Sequence, residues 1–211
     1  MSYLLFEPAN FNGSGVLWID GKGLSHLCVP GRKPDDVKPA PAVSSLLNSD
    51  YAVLSAELPS TPVFRAGQPR AEDSLLAVRV RAVLAAVAST LPHAYQLDVV
   101  GTGDAGPAVL LASAFLNDLK PEDRKKIRYV MADLRGINLE STTKKENAFF
   151  LPGASEFGGI PGITALNVTQ KLTVAGTMET PALELQMLEE AFNAPGNPGS
   201  LKLIKESLSD E

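Results

Sequence analysis

Leu97–Phe115 reads LDVVGTGDAGPAVLLASAF: an aliphatic strand pattern, a turn of small residues, and an apolar helix pattern with Pro107 near its start. A strand that passes through glycines straight into a helix is the building unit of α/β folds. Proline suits a first helical turn, where its missing N–H would have no partner in any case. The same alternation extends in both directions. Short aliphatic runs fall at Tyr3–Phe6, Val16–Ile19, Tyr51–Leu58, Leu97–Val100, Ile127–Ala132, Leu172–Ala175 and Leu201–Ile204. They are bounded by Gly, Asp or Pro, as strands buried on both faces tend to be.

Helical patterns lie between them, at Pro41–Leu47, Glu72–Ala88, Pro107–Leu119 and Pro181–Phe192. In Glu72–Ala88 the residues Leu76, Val80, Val83, Leu84 and Val87 share one stripe, with Glu72 and Asp73 at the positive end of the dipole. These patterns predict a single domain over residues 1–211, an α/β fold built as a three-layer α/β/α sandwich on a mostly parallel sheet. Seven strands are expected, with Tyr3–Phe6 as an antiparallel edge strand. Two segments break the rhythm. Leu27–Pro41, with Pro30, Pro34, Pro39 and Pro41, reads as an extended surface loop. Leu134–Val168 is rich in Gly and Pro, carries Phe149, Phe150 and Phe157, and reads as a loop excursion, either beside a site or tacked onto the core.

Composition narrows the chemistry. The 211 residues are 45% hydrophobic and 20% charged, enough for one well-formed core. A net charge of -5 argues against a nucleic-acid-binding face. With two histidines and one cysteine, the chain cannot form a disulfide within itself or the usual four-ligand Cys/His zinc site, and no metal or cofactor is expected. Met1–Phe11 lacks the basic start and long apolar core of a signal peptide. The longest apolar stretch, Pro107–Leu116, is too short to span a bilayer. A soluble chain without a membrane partner is expected, either cytoplasmic or exported within a longer protein.

The glycine-rich turn can be read two ways. As letters, Gly101, Gly103 and Gly106 make G-x-G-x-x-G, the dinucleotide fingerprint, whose backbone approaches a pyrophosphate. Against this, the turn follows an interior strand, and Asp133, the next strand-end acid, lies beyond the roughly 20-residue spacing of a ribose ligand. The alternative is a nucleophile elbow, G-x-S-x-G, in which small residues flank a nucleophile on a strained strand-to-helix turn. Here Gly101 and Ala105 flank Gly103, so glycine stands where the nucleophile belongs. A register one residue later makes Asp104 the nucleophile, between Thr102 and Gly106.

Over nearly its whole length the chain resembles an α/β-hydrolase, in particular the acetyl xylan esterase and dienelactone hydrolase-like branch. SYLLFEP (2–8) is similar to the family's second strand, VLWIDGKG (16–23) to the third strand with its oxyanion loop, and YAVLSAEL (51–58) to the fourth. VVGTGDAGPAVLL (99–111) resembles the elbow and its helix. IRYVMADL (127–134), LTVAGTMETP (172–181) and LKLIKES (201–207) resemble the sixth, seventh and eighth strands. It also resembles degenerate hydrolase-like domains of longer proteins, in which G-x-G-x-A-G-P replaces the serine motif.

The resemblance implies where catalytic groups should stand. The nucleophile position falls on Gly103. The acid after the seventh strand falls on Glu179. The histidine expected after the eighth strand has no counterpart in Lys205–Glu211. Of the two histidines, His93 precedes the Leu97–Val100 strand and belongs at the amino end of the sheet, whereas His26 follows Val16–Ile19 on the cleft side. Gly21, Gly23 and the amides of Asp104 and Ala105 are candidate oxyanion-type donors. Asp20, Asp104, Asp133, Arg135 and Glu179 would ring the cleft, a set that suits sugar hydroxyls or a cation, and Arg65 is a further rim candidate. The expectation is a hydrolase-like domain without its triad, serving as a binding or structural unit with a small-molecule or carbohydrate ligand, and joined to another domain or chain of a larger protein. Three readings stay open beside it. One is an active esterase using Asp104, His26 and Glu179. Another pairs His26 with Cys28 as base and nucleophile. The last is a dinucleotide-binding Rossmann-like domain.

Overall fold

The computed structural model describes residues 2–30, 37–60, 74–137, 149–151, 156, 158–167, 171–196 and 199–208. Among them the strands are β1 (Tyr3–Phe6), β2 (Ser14–Asp20), β3 (Cys28–Pro30), β4 (Val37–Pro39), β5 (Ala52–Ala56), β6 (Gln96–Thr102), β7 (Ile127–Asp133), β8 (Lys171–Ala175) and β9 (Ser200–Leu203). The helices are α1 (Pro41–Asn48), α2 (Leu75–Thr90), α3 (Gly106–Phe115), α4 (Pro121–Arg124), α5 (Gly159–Ala165) and α6 (Ala182–Asn193).

Seven strands form one sheet in the order β1-β5-β2-β6-β7-β8-β9. β1 pairs antiparallel with β5, and every other neighbour is parallel. Parallel neighbours require crossovers, and α2 lies between β5 and β6, α3 between β6 and β7, α5 between β7 and β8, and α6 between β8 and β9. The central strands are aliphatic because helices bury them: Leu17, Ile19, Leu97, Val99, Val130, Ala132, Leu172 and Val174 all belong to one core cluster. α3 is buried from Gly106 through Ser113, which explains an apolar sequence with no polar face. It packs on β6 and β7 and lies between α2 and α5, while α5 in turn meets α6. On the opposite face α1 packs over β5, with Val43 against Val53, Leu27 and Trp18.

Three expectations change at this level. Leu27–Pro41 is not simply a loop: β3 and β4 pair antiparallel, with Cys28 opposite Pro39 and Pro30 opposite Val37. Proline disrupts a strand pattern in sequence, yet a two-stranded ribbon has outer edges where a missing N–H costs no ladder bond. α2 begins at Leu75, not Glu72, because the Ser74 side chain accepts a hydrogen bond from the Ala77 N–H at 3.2 Å and caps it. The longest apolar helical run is also Leu75–His93 rather than Pro107–Leu116. These 19 residues are long and apolar enough to cross a membrane, and Leu76, Val83, Ala86 and Val87 are buried in the core. Within the 134–168 excursion, α5 contributes Ile163 to the core and Phe149 packs against it. Phe157 and Arg65 lie outside the described residues.

Candidate functional site at the carboxyl ends of the strands

β6 ends at Thr102, Gly103–Ala105 makes one 3-10 turn, and α3 starts at Gly106. The three glycines of this turn do different things. A Cβ on Gly101 would sit 2.6 Å from Val109 Cγ2, so α3 lies directly on the strand end. A Cβ on Gly106 would sit 1.7 Å from the Asp133 carbonyl oxygen, so α3 is also pressed onto β7. Both positions are glycine for close packing. Gly103, at the tip, has φ +58°, a left-handed conformation that side chains rarely adopt. A Cβ there would meet nothing nearer than Gly21 at 3.8 Å and Arg135 Cδ at 3.9 Å. The tip has space for a side chain and carries none. Gly101 and Gly106 of the G-x-G-x-x-G letters thus serve helix-on-strand packing.

The loop after β2 lies against this tip: a Cβ on Gly21 would be 2.3 Å from the Asp104 nitrogen. Its amides are not presented to a ligand, contrary to expectation. The Gly21 N–H donates to the Thr102 carbonyl at 2.9 Å, and the Gly23 N–H donates to the Asp20 carbonyl at 3.0 Å. A loop this tight must satisfy its own backbone groups, and Gly21 and Gly23 do so. Ala105 is fully buried beneath the turn.

The organised polar group at this end of the sheet is centred on Asp20, which is 4% exposed. Its Oδ1 accepts the Lys22 N–H at 2.7 Å. Its Oδ2 accepts the Thr102 hydroxyl at 2.8 Å and lies 2.8 Å from His26 Nδ1. The Trp18 indole N–H donates to Thr102 Oγ1 at 2.9 Å, completing a chain from the sheet to the surface. An ionised carboxylate only accepts, so Nδ1 must carry the proton in this bond, leaving Nε2 of a neutral ring as an acceptor. This is a geometry in which a carboxylate orients an imidazole. The acid in it is Asp20 and not Glu179, which is exposed and lies over Gly136. Cys28 is no partner either, since its thiol points to the Leu24 carbonyl at 3.4 Å.

The remaining acids separate. Asp104 is half-exposed and faces Arg135, Oδ1 to Nη1 3.4 Å. Arg79 of α2, absent from the sequence reading, lies near enough for Asp104 to favour its charge. Burial outweighs this and lowers the Arg79 pKa, and its Nη1 has no hydrogen-bond partner among the described residues. Asp133 is fully buried and its carboxylate is occupied. Oδ1 accepts the Arg135 N–H at 3.0 Å, and Oδ2 accepts the Ser207 hydroxyl at 2.9 Å and the Leu208 N–H at 3.0 Å. It fastens the segment after β9 rather than lining a ligand cleft. His93 lies at the amino end of the sheet as expected, in the turn before β6, where it edges a groove of about 580 Å³ with Tyr3, Leu5 and Phe11.

No family model matches this sequence, and no curated protein does. Solved structures do match it. The chain is similar to a glucuronoyl esterase from Solibacter usitatus at 12% identity and a TM-score of 0.64, over 99% of this chain and 73% of that one. It is similar to a carbohydrate esterase family 15 glucuronoyl esterase from Caldicellulosiruptor kristjansonii at 14% identity and a TM-score of 0.62, over 97% and 67%. Acetyl xylan esterase 1 from Thermoanaerobacterium sp. follows at 11% identity and a TM-score of 0.51, over 97% and 72%. The chain has the α/β-hydrolase fold, which it shares with these carbohydrate esterases.

Proposed function

We propose that this chain is an α/β-hydrolase-fold domain that has lost the catalytic triad and acts as a binding or structural unit of a larger carbohydrate-esterase-like protein. The observation that carries this reading is Gly103. It occupies the tip of the strand-to-helix turn with the left-handed backbone of an elbow, in a space that would admit a side chain, and it offers no attacking atom. Glu179 supports it, because the residue at the triad acid's position is exposed over Gly136 while His26 is held by Asp20 instead. The names of the structural neighbours, glucuronoyl and acetyl xylan esterases, favour a carbohydrate as the ligand class.

An active-site-directed fluorophosphonate tests this reading. Intact mass should show no stoichiometric adduct on the wild-type chain under conditions that label a serine esterase fully. An adduct mapped to the cleft would refute it.

A second reading, a hydrolase with displaced chemistry, is favoured by the Asp20–His26 pair. In this version His26 is the general base, Asp20 holds it, and Asp104 or a water attacks. Asp104 is turned toward Arg135, so the attack requires that ion pair to open. Loss of ester turnover in both His26→Ala and Asp104→Asn would select this reading.

A further inference from the structure

The groove of about 580 Å³ beside His93 lies at the amino ends of β2 and β5, at the other end of the sheet from the glycine-rich tip. Its floor is shallow in side chains. Gly15 and Ala52 are neighbours in register, and a Cβ on Gly15 would meet nothing nearer than Leu97 Cδ1 at 3.7 Å. Larger apolar groups wall it. Leu5 stands opposite Leu54, and Tyr3, Leu5 and Phe11 are 47%, 54% and 46% exposed. A trough of this volume with an apolar lining has the dimensions of a small-molecule site.

Its polar edge favours one sign of charge. Ser89 and Thr90 end α2 and line the groove, and their hydroxyls donate to the Ala86 carbonyl at 2.9 and 2.7 Å. Their protons are spent, so toward a ligand they offer lone pairs. The negative pole of the 16-residue α2 falls at the same place. Pro92, just beyond, has no N–H to give the Ala88 carbonyl. Lys126 shows what this pole attracts: its ammonium donates to the Leu91 carbonyl at 2.8 Å, without lining the groove. Glu7 is the one carboxylate on the lining, which includes no lysine or arginine. No ion pair with another described residue takes up the Glu7 charge. Aromatic rings such as those of Tyr3 and Phe11 add a further attraction for a cation.

We propose that this groove binds a protonated amine carried on a small aryl or alkyl body, with the body in the apolar trough and the ammonium toward Glu7 and the end of α2. The site is separate from the elbow and does not depend on whether the triad is lost. Amide NMR titrations with three probes of similar shape test it: phenethylammonium, 2-phenylethanol and 3-phenylpropionate, at about pH 8, where histidine side chains are neutral. The amine should bind saturably in the millimolar range, as suits a ligand of this size, and shift the Gly15 and Thr90 amides. The carboxylate should bind about tenfold more weakly, with the alcohol between them. Glu7→Gln, a surface change, should weaken the amine about two- to five-fold and leave the alcohol as it was. Ala52→Leu, which fills the floor, should weaken all three, with melting curves showing that it folds. The absence of a saturable shift with the amine overturns the proposal. So does a carboxylate that binds as tightly as the amine, or an amine affinity unchanged by Glu7→Gln or by a folded Ala52→Leu.

Discussion

Asp20 Oδ2 lies 2.8 Å from His26 Nδ1, and the same oxygen takes the Thr102 hydroxyl at 2.8 Å. A nearly buried carboxylate thus sets the orientation and the tautomer of a side chain at the surface. The bond ties the loop after β2 to the end of β6, the two elements that meet at the glycine-rich tip.

Replacing Asp20 by Ala should therefore be felt in two places. It leaves the Thr102 hydroxyl and the Lys22 N–H without their acceptor, and should destabilise the chain by about 1–3 kcal/mol. It should also release the imidazole. Nitrogen-15 NMR of the wild type should find neutral His26 protonated at Nδ1, and the variant should move the population toward Nε2. An unchanged tautomer in the variant would mean that Asp20 does not orient the ring.

Two glycines of the same turn should respond to one methyl group to different extents. Gly106→Ala drives a Cβ to 1.7 Å from a backbone oxygen of β7, which only a shift of α3 can relieve. A loss of about 3 kcal/mol or more is expected, lowering Tm by roughly 6–12 °C for a chain of this size. Gly103→Ala meets only ordinary contacts and should cost about 1–2 kcal/mol for its left-handed backbone. Thermal melts of the two variants side by side check the order, and equal costs would contradict the packing described for the turn.

Asp133 should behave as a fastener. Asp133→Ala removes the acceptor of the Ser207 hydroxyl, the Leu208 N–H and the Arg135 N–H. A loss of about 2–4 kcal/mol is expected, because three donors lose one acceptor. Limited proteolysis should then cut first near residues 205–208. Protection there equal to the wild type would show that the segment is held by something else.

Much of this arrangement was legible in the sequence, and the exceptions have physical causes. Short aliphatic runs located all seven strands of the main sheet, because burial on both faces leaves the central ones little alternative. The positions of His93 and Gly103 followed from strand order alone. The ribbon of β3 and β4 was hidden by its prolines, and the start of α2 by a serine cap amid acidic neighbours. The partner of His26 was missed because the residues between it and Asp20 form a glycine turn that folds back on itself, and spacing does not report such a reversal. The packing duties of Gly101 and Gly106 depend on what lies across from them in space. Their letters alone are shared with a phosphate loop.

The central claim is that the elbow keeps its backbone and lacks its chemistry. The most direct measurement is steady-state hydrolysis of short-chain and acetylated-sugar esters by the wild type, Gly103→Ala and His26→Ala at equal concentration. The three should be indistinguishable from one another and from the uncatalysed rate. Saturable wild-type turnover that disappears in His26→Ala would contradict the account.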